Sequence, residues 1–213
     1  MSLFLYVLRE VSFDNKMFFE PEKPIEKHGP KLPHWQQEGA MQFVTFRLAD
    51  AMPKSKLIKW AEEREAWLNW NPKPWSFEKE QEYHRLFTQK MEEWLDAGAG
   101  SCLFREPENR TLLAETLMHD QGAGAEHEAW VIMPNHAHLL FTPKKPLEQL
   151  LKTWKGVTAR KVGQGSIWQK GYRDTLIRHQ EHYANVVRYI RKNPKNLRQG
   201  EFTLWEGPRA KRI

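Results

Sequence analysis

Residues 129–143 read Ala-Trp-Val-Ile-Met-Pro-Asn-His-Ala-His-Leu-Leu-Phe-Thr-Pro. His136 and His138 flank one small residue between two apolar runs. In an extended strand, side chains at i and i+2 share a face, so this spacing aims two imidazoles at one point. That is the start of a metal site, and two neutral imidazoles need a third donor from elsewhere. Further along, Arg188-Tyr189-Ile190-Arg191-Lys192-Asn193-Pro194 sets a tyrosine and an asparagine four apart. On a helix these stand one turn apart on the same side. The carbonyl oxygen of Asn193 is a hard donor and a candidate third ligand; Asp174 and Glu128 are the alternatives. Tyr189 is then placed as a nucleophile assisted by a metal. Its phenol, with an ordinary pKa near 10, needs positive surroundings to ionise. A tyrosine that attacks a phosphodiester stores the bond energy in a phosphotyrosine link, which a later hydroxyl can reverse.

Other two-histidine chemistries do not fit. Zinc hydrolases with an Asp-His pair close behind need ligands where Leu139 and Leu140 stand. Histidine-triad hydrolases need a third histidine at position 140, and two-histidine phosphoesterases need a second His-x-Ser/Thr motif. The surviving reading is a two-histidine metal site with a distant nucleophile.

Charge supports a polyanionic partner. Residues 144–198 carry 14 Lys/Arg against 3 Asp/Glu, a net of +11, while the whole chain carries only +6. The basic excess follows the histidine pair and surrounds Tyr189, which points to nucleic acid near the site. The 213 residues are 40% hydrophobic and 28% charged, the composition of a globular chain. No apolar run approaches a membrane span. Residues 1–8 are apolar but lack a basic leader and a cleavage site, so a signal peptide is not expected. One cysteine, Cys102, permits no internal disulfide and fits a reducing, cytoplasmic setting.

The elements that must position these residues follow from periodicity. Alternation over 41–48 predicts a strand. Residues 55–70 and 77–96 read as helices separated by Asn71-Pro72-Lys73-Pro74, with Ser76 as an N-cap. A third helix covers 107–119. Residues 127–133 and 137–142 read as strands around Pro134-Asn135, 147–162 as a helix, 172–177 as a strand, and 179–193 as a helix stopped by Pro194. This order predicts an α+β, ferredoxin-like split βαβ domain: an antiparallel sheet with helices over one face, a helical insertion at about 55–120, and an extra C-terminal helix. The domain should span 39–200, between an extension at 1–38 and a tail at 201–213. Trp60, Trp67, Trp70 and Trp94 are expected to pack the helical insertion.

The motifs in this order resemble the single-tyrosine HUH transposases, specifically the REP-associated tyrosine transposases. The stretches that carry the resemblance are Phe43-Val44-Thr45-Phe46-Arg47-Leu48-Ala49-Asp50, residues 130–140 around His136-Ala137-His138, Ile167-Trp168-Gln169-Lys170-Gly171-Tyr172, and Tyr189-Ile190-Arg191-Lys192-Asn193-Pro194. They lie within residues 31–198. The resemblance implies a DNA transposase, a nuclease and strand transferase for single-stranded DNA that recognises palindromic hairpins. It would leave a 5′-phosphotyrosine and a free 3′-hydroxyl. Tyr189 would be the nucleophile, and His136, His138 and Asn193 the metal ligands. The related insertion-sequence enzymes generally have Gln where Asn193 stands. Two imidazoles would also accept Zn²⁺, and the resemblance selects Mg²⁺ or Mn²⁺. Lys152, Lys155, Arg160, Lys161, Arg173 and Arg178 would track the hairpin backbone, and Trp168 and Tyr172 would stack on unpaired bases. The alternative is a domesticated palindrome-binding protein that cuts little or nothing. A monomer is preferred.

Overall fold

The computed structural model describes residues 17–28 and 34–213. Most of the expected extension, residues 1–16 and 29–33, lies outside them. Two short strands, β1 (Glu26–His28) and β2 (His34–Gln36), pair with each other. The main sheet contains β3 (Gln42–Arg47), β4 (Ala125–Ile132), β5 (His136–Pro143), β6 (Arg173–Leu176) and β7 (Thr203–Glu206). Its order is β6-β3-β5-β4-β7, and every neighbouring pair is antiparallel. The chain is therefore α+β. The fifth strand, β7, comes from the residues expected to form a tail. It extends the edge beyond β4, with Trp205 opposite and stacked on Trp130.

Strand alternation sends side chains to two different cores. Val44, Phe46, Trp130, Ile132, Ala137, Leu139 and Phe141 face one side. There they meet α4 (Pro107–His119) and α5 (Leu147–Val162), which pack against each other. Phe43, Ala129, Val131, Met133 and Leu140 face the other side. That side is covered by α6 (Gln180–Lys192), whose stripe of Tyr183, Val186, Val187 and Ile190 lies against the sheet. Helices thus cover both faces, where one was expected. Residues 129–133 and 139–141 are continuously apolar, and such a run needs cover on both sides.

The helical excursion leaves after β3 and returns beside its own start. Ser101 N–H donates to Asp50 Oδ2 at 2.7 Å, and Gly100 takes φ +89° against the Asp50 backbone. A Cβ at Gly100 would stand 2.4 Å from the Asp50 carbonyl oxygen. The excursion contains α1 (Lys54–Trp70), then α2 (Phe77–Tyr83) running through a π-helical stretch into α3 (Lys90–Asp96). Ser76 caps α2 as expected, accepting from Lys79 N–H. α4, read with the insertion from sequence, belongs instead to the layer over the sheet. Trp60 and Trp67 pack within the excursion against Phe87, while Trp70 is 85% exposed at its tip and does not pack.

Candidate functional site

His136 and His138 sit on β5, on the face covered by α6, and each is 1% exposed. The helix and Tyr189 close over them. The β4–β5 turn is gripped from two sides, with Leu48 N–H donating to Asn135 O and Phe104 N–H to Pro134 O. Asn135 Nδ2 donates to the carbonyls of Leu95 and Ala99, each at 3.1 Å. Its Oδ1 is therefore an acceptor, to which His136 Nδ1–H donates at 2.8 Å. His138 Nδ1 lies 2.8 Å from Thr45 Oγ1. With both Nδ1 atoms engaged, the Nε2 atoms face each other at 3.1 Å.

That arrangement fits a metal ion. When each Nδ1 carries the proton, both Nε2 lone pairs point into one space, where they repel unless a cation accepts them. Cis ligands of an octahedral ion at about 2.1 Å stand about 3 Å apart. Both rings are held neutral, the form that ligates. Burial, then Arg47, push His136 down to about 3 against a neighbouring Asn193. Burial, then His136 and Arg173, hold His138 well below its ordinary value.

Asn193 caps the C-terminus of α6 beside His136. Its Oδ1 is buried without a hydrogen-bond donor. A buried amide oxygen left unsatisfied is costly, and a cation would satisfy it. The two alternative ligands are elsewhere. Glu128 accepts from Tyr183 O–H at 2.9 Å and pairs with Arg209 at 3.3 Å. Asp174 is the register partner of Val44 and so belongs to the opposite face. Among the described residues, no three or more His, Cys, Asp or Glu gather as a metal-binding group.

Tyr189 stands on the flank of α6, half-buried, with its hydroxyl 3.3 Å from His138 Nε2. Its ring meets His138 and Phe43 edge-on, and Phe43 stacks on His138. α6 is held in place by the Tyr183–Glu128 bond and by Arg191, which donates to Glu206 of β7 at 2.9 Å. The expectation that the basic segment would favour the phenolate is corrected here. Burial pushes the Tyr189 phenol up, and Glu92 and Asp96 of α3 push it further, with Arg173 opposing them.

Register places two arginines in the site. Arg173 is opposite Thr45, and Thr45 is opposite His138, which makes one row across the sheet. Arg47 is opposite His136; its Nε donates to Gln169 Oε1 and its Nη1 to Met91 Sδ at 3.0 Å. Burial, then Arg173, lower Arg47 to about 10. Arg47 escaped the sequence reading, although an arginine inside the apolar run 43–48 was its signal.

The other expected DNA contacts separate in space. Lys152, Arg160 and Lys161 are exposed on α5, which packs on the opposite face of the sheet from Tyr189. Lys155 donates to the carbonyls of Gln169 at 2.6 Å and Gly171 at 2.9 Å, tying the segment before β6 to α5. Arg178 is exposed just before α6. Trp168 is 7% exposed, stacked on Phe104 and edge-on to Phe46, so it packs the core and has no face for a base. Tyr172 is half-buried and lines a cavity of about 480 Å³ between α5 and residues 166–172. Among the described residues, no helix is long and apolar enough to cross a membrane.

No protein-family model and no curated protein matches this chain. A solved structure of a REP-associated tyrosine transposase bound to a REP hairpin aligns over 79% of this chain and 74% of that one, at 18% identity and a TM-score of 0.44. So distant a likeness decides nothing about the chemistry.

Proposed function

We propose that this chain is a metal-dependent single-strand DNA endonuclease and strand transferase, built as a ferredoxin-like HUH domain with Tyr189 as nucleophile. The observation that carries the reading is the convergence of two buried, neutral imidazoles, an unsatisfied Asn193 oxygen and a tyrosine hydroxyl 3.3 Å from His138. His136, His138 and Asn193 would hold Mg²⁺ or Mn²⁺. The ion, when bound, would polarise the scissile phosphate and offset the charge that develops there.

The residues of the chain do the rest. Asn135 and Thr45 fix the imidazole rings through their Nδ1 atoms. α6 holds Tyr189 against the site, and Arg173 offers a guanidinium in the same row for a phosphate oxygen. Attack by the Tyr189 oxygen leaves a 5′-phosphotyrosine and a free 3′-hydroxyl. A palindromic hairpin is the proposed substrate, bound by the exposed cations of α5, Arg173 and Arg178 around the β6 edge. The reading suits a monomer acting in the cytoplasm.

The experiment incubates the protein and Mn²⁺ with palindromic oligonucleotides labelled at the 5′ or the 3′ end. The covalent adduct should carry the 3′ label and not the 5′ label. Hairpin binding with no adduct under any divalent ion would leave a palindrome-binding protein in place of an enzyme.

A further inference from the structure

Arg47 is a half-buried cation held by neutral groups. Its Nε donates to Gln169 Oε1, and its Nη1 donates to Met91 Sδ at 3.0 Å and Met52 Sδ at 3.5 Å. Among the described residues no carboxylate pairs with Arg47, and Nη2 has no hydrogen-bond partner although it is not sealed in the core. Withdrawing a guanidinium from water is costly unless an opposite charge meets it. This collar orients the charge and does not neutralise it. Gln169 is itself fixed: its N–H donates to the Arg47 carbonyl at 2.9 Å, and its own carbonyl accepts from Lys155 at 2.6 Å.

The charge stands beside the imidazole pair. Arg47 is the register partner of His136, and Thr45, two residues earlier on β3, is that of His138. Cross-strand partners share a face, and Arg173, opposite Thr45 on β6, is on that face too. Arg173 is exposed and makes no ion pair among the described residues, although Glu92 of α3 acts on it through space. The two guanidiniums repel each other. An anion seated between them would relieve both.

Resting on the proposed function, we infer that Arg47 is a catalytic residue whose Nη2 holds a non-bridging oxygen of the phosphate to be cleaved, with Arg173 on the same group. Phosphate oxygens take charge-assisted hydrogen bonds from a guanidinium, and the planar fork suits them. Adjacent strands stand about 4.8 Å apart, so a group held by Arg47 lies next to the point where the imidazoles meet. The position also suits the charge that grows on the phosphate as Tyr189 attacks, because the collar has already oriented the donor.

The test is Arg47→Met, whose side chain fits among Met52 and Met91 and removes the charge and its donors. Neutral methylphosphonates are placed one at a time along the strand beside a palindromic hairpin, and affinities are measured with EDTA present. The parent should lose about tenfold or more in affinity at one linkage, and Arg47→Met should lose nothing further there. That linkage should be the one cut when Mn²⁺ is supplied, and Arg47→Met should form the adduct about 100-fold more slowly. Its melting temperature and Mn²⁺ affinity should hold or rise, since an unpaired cation beside the imidazoles is gone. Arg47→Lys, which keeps the charge without the fork, should recover part of the rate. If no linkage separates the parent from Arg47→Met while the parent forms the adduct, the inference is overturned and the proposed function stands. A coupled linkage other than the cleaved one makes Arg47 a DNA anchor and overturns its catalytic role. A variant that melts well below the parent or binds Mn²⁺ more weakly makes Arg47 structural and overturns the inference. A parent that forms no adduct with any divalent ion fails the proposed function, and the catalytic role of Arg47 with it.

Discussion

The two faces of the sheet each bury histidine, and they use it differently. On the face under α4 and α5, His127 is 3% exposed and lies between Phe141 and Trp154, its Nε2 at 3.1 Å from the Leu117 carbonyl. Burial lowers it to about 4. On the face under α6, His136 and His138 are equally buried and also lowered. Burial and a depressed pKa therefore do not mark a site. The difference is direction. His127 turns Nε2 toward a backbone carbonyl among aromatic rings, whereas the pair spend their Nδ1 atoms on Asn135 and Thr45 and turn Nε2 toward each other. His127 Nδ1 is buried among aromatic rings with no hydrogen-bond partner and faces nothing a cation could share, whereas the Nε2 atoms of the pair meet in one space beside the Tyr189 hydroxyl.

The largest effect expected on the site face is that of Tyr189→Phe. It removes one oxygen and should abolish adduct formation, read by denaturing gel, while hairpin affinity stays within about twofold because no charge is lost. An adduct that persists would move the nucleophile elsewhere.

Metal separates the two faces directly. At about 100 times its Kd, Mn²⁺ should stabilise the parent by about 2.7 kcal/mol. In a chain of this size that raises the melting temperature by about 5–10 °C. His136→Ala and His138→Ala should lose this shift and the cleavage that depends on it. His127→Ala should keep the shift but start lower, since a cavity among Phe141 and Trp154 costs about 2–4 kcal/mol. A metal shift surviving in both site variants would make all three histidines structural.

Thr45→Val sharpens the same contrast at smaller scale. It removes the partner of His138 Nδ1 and leaves every proposed ligand, so Mn²⁺ affinity should fall by about tenfold in calorimetry. An unchanged affinity would show that ring orientation is set by packing against Phe43 alone.

The smallest expected effect divides the basic residues between the faces. Hairpin affinity should fall with salt at a log–log slope of roughly −3 to −5, each phosphate contact contributing about −0.7. Arg173→Ala and Lys161→Ala should each lower the slope by about that one contact. Only Arg173→Ala should also slow adduct formation, because Arg173 shares a row with His138 and Lys161 lies on the far face. An unaltered slope in Lys161→Ala would confine the DNA to the α6 side.

Much of the local structure was legible in the residues. The helix read over 147–162 is α5 to the residue, the strands around Pro134-Asn135 are β4 and β5, and Pro194 follows the helix that carries Tyr189. Periodicity and breakers act over a few residues, so a sequence displays them. β7 was missed, although Thr203-Leu204-Trp205-Glu206 alternates before Gly207-Pro208; four residues alone are too short a pattern, and pairing with β4 makes them a strand.

By itself the sequence determined that two imidazoles share a strand face, that Tyr189 and Asn193 share a helix side, and that positive charge crowds this half of the chain. All three follow from spacing along one element. Only the tertiary structure decided that these two elements meet, that Trp168 belongs to the core, and that the α5 cations lie across the sheet from Tyr189. Those relations depend on strand register and on which face each helix covers. Both are set by long-range packing, which no local spacing encodes.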